Sequence, residues 1–172
     1  MSRILVSSLS GLGEALERHR PSHLVSLLSP PYMIATPDGF DPRQHLKLGI
    51  DDVREPAGAE NPPERLHVDR LLSFARGWDA NAPILVHCWA GISRSMASAY
   101  VILCDRLGDG RECEIALAMR RRAPHASPNS LLVRHADEVL GRGGRMVAAL
   151  EAMGPPVMML EGAITDFPLV DL

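Results

Sequence analysis

Strong net charge, long apolar runs and paired cysteines are all missing from this 172-residue chain, and each absence removes a class of function. A formal charge of -3 sets up no strong field for a phosphate backbone or an anionic lipid surface, so neither nucleic acid nor membrane is expected as a partner. The longest wholly apolar stretches, such as Ala99–Cys104, fall far short of the ~20 residues that span a bilayer. Three cysteines (Cys88, Cys104, Cys113) form no C-x-x-C pair and have no histidine pairs of ligand spacing nearby, so reduced thiols and no metal are expected. Lysine is nearly missing too: Lys47 stands alone among 18 basic residues. With abundant Ala, Gly and Pro, that usage suggests a GC-rich, bacterial source. The start, Met1–Ser8, has no secretory pattern and reads as cytoplasmic. At 46% hydrophobic residues, the chain has the composition of a single domain spanning residues 1–172.

What is present is an alternation of strand and helix patterns. Arg3–Ser8 is an apolar, β-branched run, and Gly13–Arg20 follows as a short helix ended by Pro21. His23–Ser29 reads as a second strand closed by Pro30-Pro31, and His45–Ile50 as a third after a turn-rich loop. Beyond the loop Asp51–Pro63, Leu66–Trp78 has helical spacing. Ile84–Cys88 is an uninterrupted apolar run, the pattern of a strand buried on both faces. Helices are predicted over Ser93–Leu107 and Glu112–Arg122. A last one starts at a Ser127-Pro128 cap and runs to Leu140, with the nearby glycines splitting it from Met146–Met153. The pattern indicates an α/β fold with a small, mostly parallel central sheet of four or five strands flanked by helices. The tail after Pro155-Pro156 carries no readable signal.

Chemistry concentrates where the buried strand runs into a small-residue loop that opens a helix: His87-Cys88-Trp89-Ala90-Gly91-Ile92-Ser93-Arg94-Ser95. Successive amide N–H groups of such a loop, and the unpaired N–H groups of the first helical turn, converge on one anion. That field favours a thiolate at Cys88. Arg94 adds a planar fork suited to two phosphate oxygens, and Gly91 permits the close turn. Thiolate, amide cup and arginine together suit attack on phosphorus and make a cysteinyl-phosphate intermediate plausible.

His87-Cys88-x5-Arg94-Ser95 resembles the signature of the cysteine-dependent protein tyrosine phosphatases, and Ala90–Ser95 is similar to the loop of their dual-specificity branch. The run Arg121–Leu132 looks like the segment in which Arg-Arg-Pro precedes Ser-Pro-Asn and a final helix, with Ala123 as a departure. The similarity spans about residues 3–140 and leaves the tail from about 155 outside it. The resemblance implies a dual-specificity-like fold, no cofactor, a phosphate-binding loop formed by Trp89, Ala90, Gly91, Ile92, Ser93 and Arg94, and catalysis by Cys88 and Arg94. It further implies that Ser95 assists thiolate departure, that Asn129 braces the loop and that His87 tunes the cysteine. The plainer alternatives are that Asn129 starts a helix and that His87 is a satisfied core histidine. A general acid is implied on the loop upstream. Asp51-Asp52 fits that place, and the strand phase of Leu46, Leu48 and Ile50 favours Asp52, unless both acids merely cap the turn before Pro56.

The function expected is hydrolysis of phosphate monoesters, in phosphotyrosine, phosphoserine or phosphothreonine of proteins or in a small substrate. A rhodanese-like sulfurtransferase and a catalytically silent phosphoprotein-binding module are the alternatives. Elsewhere, Cys104 and Cys113 read as core fillers. Arg120-Arg121-Arg122 reads either as a receiver of acidic substrate or as a macrodipole complement. Met146, Met153, Met158 and Met159 read as core or interface residues.

Overall fold

The computed structural model describes residues 2–172. Four of its strands are the apolar runs: β1 (Arg3–Ser7), β2 (His23–Leu28), β3 (His45–Gly49) and β4 (Ile84–His87). They pair in parallel, β2 with β3 and both β1 and β2 with β4, with Val25 and Val6 each opposite Val86. Such a sheet is covered on both faces, which explains why these strands lack polar alternation. A fifth strand, β5 (Thr165–Pro168), lies antiparallel on β1, pairing Phe167 with Ile4, and gives the order β3-β2-β4-β1-β5.

One face of the sheet receives the short helix α1 (Leu12–His19) through Leu12 and Ala15, packed with Leu5, Leu24 and Leu85. The other carries the main core, built by α2 (Arg65–Gly77), α3 (Arg94–Leu107), α4 (Glu112–Arg122), α5 (Ser130–Val139) and α6 (Arg145–Ala152). Helix α3 is buried continuously from Arg94 to Cys104. Glu112, at 2% exposure, accepts from Arg142 at 3.2 Å and from Arg145 at 3.4 Å, which ties α4 to the start of α6. Among the described residues no helix is long and apolar enough to cross a membrane.

The tail, which carries no readable signal in the sequence, extends the sheet through β5, and Arg122 pairs with Asp166 at 3.5 Å. Two expectations need correction. Helix α5 is capped by Asn129, whose Oδ1 accepts from the Leu132 amide at 3.0 Å, and not by Ser127, whose own amide is bonded to Ile92 O at 2.9 Å. Cys104 is buried, but Cys113 is exposed: it lies two residues, about 200° around the helix, from buried Ile115. Met146 and Met153 are buried as expected, whereas Met158 is 88% and Met159 49% exposed on an extended stretch beyond α6. As for the basic run ending α4, Arg120 donates to the carbonyls of Pro124, Met153 and Gly154 at 2.6–3.3 Å, a use of its charge closer to capping than to substrate reception.

Because β4 lies at the centre of a parallel arrangement, the loop after it is ringed by the segments that leave β1, β2 and β3 at the same edge. Ser8–Gly11, Ser29 and Ile50–Asp52 all arrive there. Ligands of open α/β sheets bind at this edge.

Candidate active site

The loop between β4 and α3 is held by its carbonyls. Trp89 O accepts from Leu9 N at 3.0 Å, Ala90 O from Gly162 N at 2.8 Å, Ile92 O from Ser127 N at 2.9 Å, and Ser93 O from Ala97 N at 2.9 Å and Asn129 N at 3.2 Å. A trans peptide points its C=O and N–H in opposite directions. Carbonyls tied outward therefore turn the amides inward, and among the described residues the N–H groups of Trp89 to Ser93 find no acceptor in the protein. The result is a cup of unpaired donors at the N-terminus of α3, a ready receptor for an anion.

Gly91 makes the bend, with φ of +71°. A Cβ there would meet Ser8 N at 2.8 Å, so the position excludes side chains by both conformation and space. Cys88 is buried at the base of the loop, its Sγ 3.1 Å from Ser95 Oγ in the first turn of α3. Arg94 is also buried. Its Nη1 donates to Ile50 O at 2.8 Å, which fixes the guanidinium and leaves the Nε–Nη2 edge unbonded to protein. That edge is the bidentate one.

Asp52 reaches the cup. Ser93 Oγ donates to Asp52 Oδ1 at 2.6 Å, and Asn129 Nδ2 donates to the same oxygen at 2.9 Å and to Val53 O at 3.0 Å. Asn129 thus caps α5 through Oδ1, clasps the Asp52 loop through Nδ2 and supports Ser93 through its backbone. Asp51 is turned to other partners: the Ser29 hydroxyl, the Asn61 amide at 3.0 Å and the nearby Arg94 charge hold its carboxyl below the usual aspartate range.

His87 is fully buried, and burial pulls its pKa down to about 4. Its Nε2 lies 2.6 Å from Ser26 Oγ, and its Nδ1 faces Cys88 O at 3.4 Å.

A cavity of about 300 Å³ opens over Arg94, lined by Leu28, Ser29, Tyr32 and Trp89. Tyr32 and Trp89 are 60% and 56% exposed and meet edge to face with ring centroids 5.4 Å apart. Sequence reasoning placed Trp89 in the loop but missed Tyr32, Ser29 and Ile50. It also missed Gly162, where a Cβ would meet His125 Nε2 at 2.5 Å and Gly91 O at 2.9 Å, and Glu161, which accepts from Ser8 Oγ at 2.6 Å and from Ser10 Oγ. For Ser29, Tyr32 and Ile50 the only local signal was a place just beyond β2 or β3; Glu161 and Gly162, in the tail, had none.

No protein-family model and no curated protein matches the sequence. Solved structures do match in fold. DUSP15 superposes with a TM-score of 0.61 at 18% identity, covering 89% of each chain. Human DUSP28 gives 0.58 at 20% identity over 81% of this chain and 95% of that one. PTPMT1, solved in complex with PI(5)P, gives 0.58 at 17% identity over 81% and 93%. The chain has the fold of the dual-specificity phosphatases.

Proposed function

We propose that the protein is a cysteine-dependent phosphatase acting on phosphate monoesters, with phosphorylated protein side chains as its substrate class. The observation that carries this reading is the amide cup itself: inward N–H groups, the free edge of Arg94 and the Cys88 sulfur share one small site. A tetrahedral dianion held by the cup presents phosphorus to the thiolate. The S–P bond forms as the ester P–O bond breaks, with equatorial oxygens on the amides and Arg94, and Asp52 protonates the departing oxygen. Asp51 is held in its ionised form by its own partners and so is not suited to that proton transfer. Water then attacks the phosphocysteine, giving its proton to Asp52, and the Ser95 hydroxyl donates to the departing thiolate. His87 and Asn129 hold the loop in place.

The substrate class rests on the lining. Trp89, Ala90, Ile92 and Ser93 carry no charge, so nothing in the loop complements additional phosphates of an inositol headgroup, and the Tyr32–Trp89 rim suits an aryl ester such as phosphotyrosine.

The test is turnover of p-nitrophenyl phosphate and a phosphotyrosyl peptide by the wild type, with Cys88→Ser as control. Hydrolysis lost in Cys88→Ser, with vanadate binding kept, is the expected result. Hydrolysis retained at the wild-type rate overturns the covalent mechanism. A wild type that binds phosphopeptide without turnover is a binding module, and one that moves sulfur from thiosulfate to cyanide is a sulfurtransferase.

A further inference from the structure

Four of the loop carbonyls are held by main-chain N–H groups, but Cys88 O faces an imidazole. Its orientation therefore depends on which nitrogen of His87 carries the proton. If Nδ1 is protonated it donates to Cys88 O. With the proton on Nε2, a lone pair faces the carbonyl instead.

What surrounds His87 decides between the two. Its Nε2 lies 2.6 Å from Ser26 Oγ on β2, the same oxygen lies 2.8 Å from His45 Nε2 on β3, and His45 Nδ1 lies 3.0 Å from Thr36 Oγ1. This single file runs from the partly buried Thr36 across three adjacent strands to the catalytic cysteine's carbonyl. The charged groups near it are Arg94 by His87 and Lys47 by His45, and both favour neutral rings. Burial acts the same way, pulling His45 as well to about 4.

A neutral imidazole has one donor and one acceptor, and a hydroxyl has one proton. Ser26, between two ring nitrogens, donates to one and accepts from the other. Only one ordering satisfies every contact: Thr36 O–H donates to His45 Nδ1, His45 Nε2–H to Ser26, Ser26 O–H to His87 Nε2, and His87 Nδ1–H to Cys88 O. The reverse ordering sets the His87 Nδ1 lone pair against the carbonyl oxygen. It costs the loop its first tether, in a buried place where an unmet polar group is expensive.

We propose that Thr36, His45 and Ser26 are positioning residues of the phosphate loop, forming a proton-ordered relay that fixes His87 as the Nδ1–H tautomer. Holding Cys88 O outward turns the Trp89 N–H, on the far side of the same peptide, into the cup. The relay so sets an anion-binding donor without touching the anion. The catalytic consequence rests on the phosphatase reading, while the tautomer does not.

The experiment pairs steady-state turnover of p-nitrophenyl phosphate with ¹⁵N NMR of the histidine side chains in the full chain. For the wild type, His87 shows a protonated Nδ1 and an unprotonated Nε2. Ser26→Ala is expected to lower kcat about tenfold, below the 10²–10³ of deleting a charge-stabilising donor outright, and to lose the pure Nδ1–H signature. Thr36→Val, close to isosteric and at the partly buried end, moves both readouts in the same direction by a smaller factor. His45→Gln, whose amide still offers a donor to Ser26, keeps kcat within about twofold of wild type and keeps the His87 signature, whereas His45→Leu loses both. If Ser26→Ala does not fold, Thr36→Val and the His45 pair decide. Unchanged kcat and unchanged His87 shifts in the folded variants overturn the relay. A wild type with the Nδ1–H signature, lost in Ser26→Ala, but with no turnover of any phosphate ester sustains the relay and overturns the phosphatase reading instead.

Discussion

Cys88 Sγ and Ser95 Oγ lie 3.1 Å apart, both buried, one at the end of β4 and the other in the first turn of α3. The hydroxyl can donate to a sulfur that is becoming a thiolate, which in the proposed mechanism happens when phosphocysteine breaks down. It has less to offer while the thiolate attacks and loses charge. Ser95→Ala should therefore spare the first half-reaction and slow the second, by on the order of 10²-fold, the range typical for loss of a donor to developing charge. Rapid mixing with an activated aryl phosphate should show a burst of the aryl alcohol, one equivalent per enzyme, followed by slow turnover. A variant with wild-type turnover and no burst removes Ser95 from the mechanism.

Gly162 joins the tail to the loop after β4 across 72 residues of sequence, through its bond to Ala90 O at 2.8 Å. A methyl group there meets the buried His125 ring and the Gly91 carbonyl. Overpacking of this kind costs about 1–3 kcal/mol, and here the displaced atoms belong to the cup. Gly162→Ala should weaken vanadate binding and lower kcat/KM by roughly tenfold or more, while Gly77→Ala, at the end of α2 with ordinary φ and no atom within 4 Å of the added carbon, leaves the cup untouched. Equal effects of the two substitutions on vanadate affinity, measured by calorimetry, would show that the tail does not shape the loop.

Histidine protonation should set the acid limit of stability. His45 and His87 have folded pKa values near 4 against an ordinary 6.5, so between those values the unfolded chain binds more protons than the folded one. Stability is then fully present above about pH 6.5 and falls as pH drops toward 4. For the more buried His87 the loss amounts to roughly 3 kcal/mol. Urea midpoints from pH 7.5 to 4 should decline across this window, and His45→Gln should flatten the slope. A midpoint constant between pH 6.5 and 4 contradicts burial of neutral rings.

How much of this was legible in the sequence follows the range of the interactions. The segment Ile84–Ser95 displays its strand, turn and helix locally, so the cup and its cysteine and arginine can be read directly. The parallel strands announce themselves because burial on both faces leaves only apolar residues. Thr165–Pro168 does not: an edge strand containing Asp166 and Pro168, with only Thr165 and Phe167 buried, looks like loop until β1 pairs with it. Thr36, Ser26 and His45 are ordinary polar residues along the chain. They align with His87 only because the sheet order places β3, β2 and β4 side by side in register. Cys113 failed for a different reason, since one helical turn of apolar neighbours does not say on which side of the stripe a residue falls.

The two adjacent aspartates make the sharpest kinetic test, because the structure gives them different partners. Asp52 receives Ser93 and Asn129 on Oδ1 alone, which leaves Oδ2 free of protein donors. Asp51 receives the Asn61 amide at 3.0 Å, and the neighbouring Ser29 hydroxyl and Arg94 charge add to the pull toward its ionised form. Its folded pKa lies below the unfolded one, so Asp51 adds stability above the ordinary carboxylate range and loses that contribution as pH falls through the folded value. Asp51→Asn should lower the thermal midpoint at pH 7, with the difference from wild type closing in acid, and should leave leaving-group dependence alone. Protonation matters most for a poor leaving group, so Asp52→Asn should slow a tyrosyl or alkyl phosphate by about 10²–10⁴ and an activated aryl phosphate far less. A plot of log kcat against leaving-group pKa is nearly flat when the acid is present and steep when it is gone. If Asp51→Asn is the variant that steepens, the acid is Asp51 and the clasp of Asn129 on Asp52 is purely structural. If neither steepens while chemistry limits the rate, the proton comes from a residue on another loop.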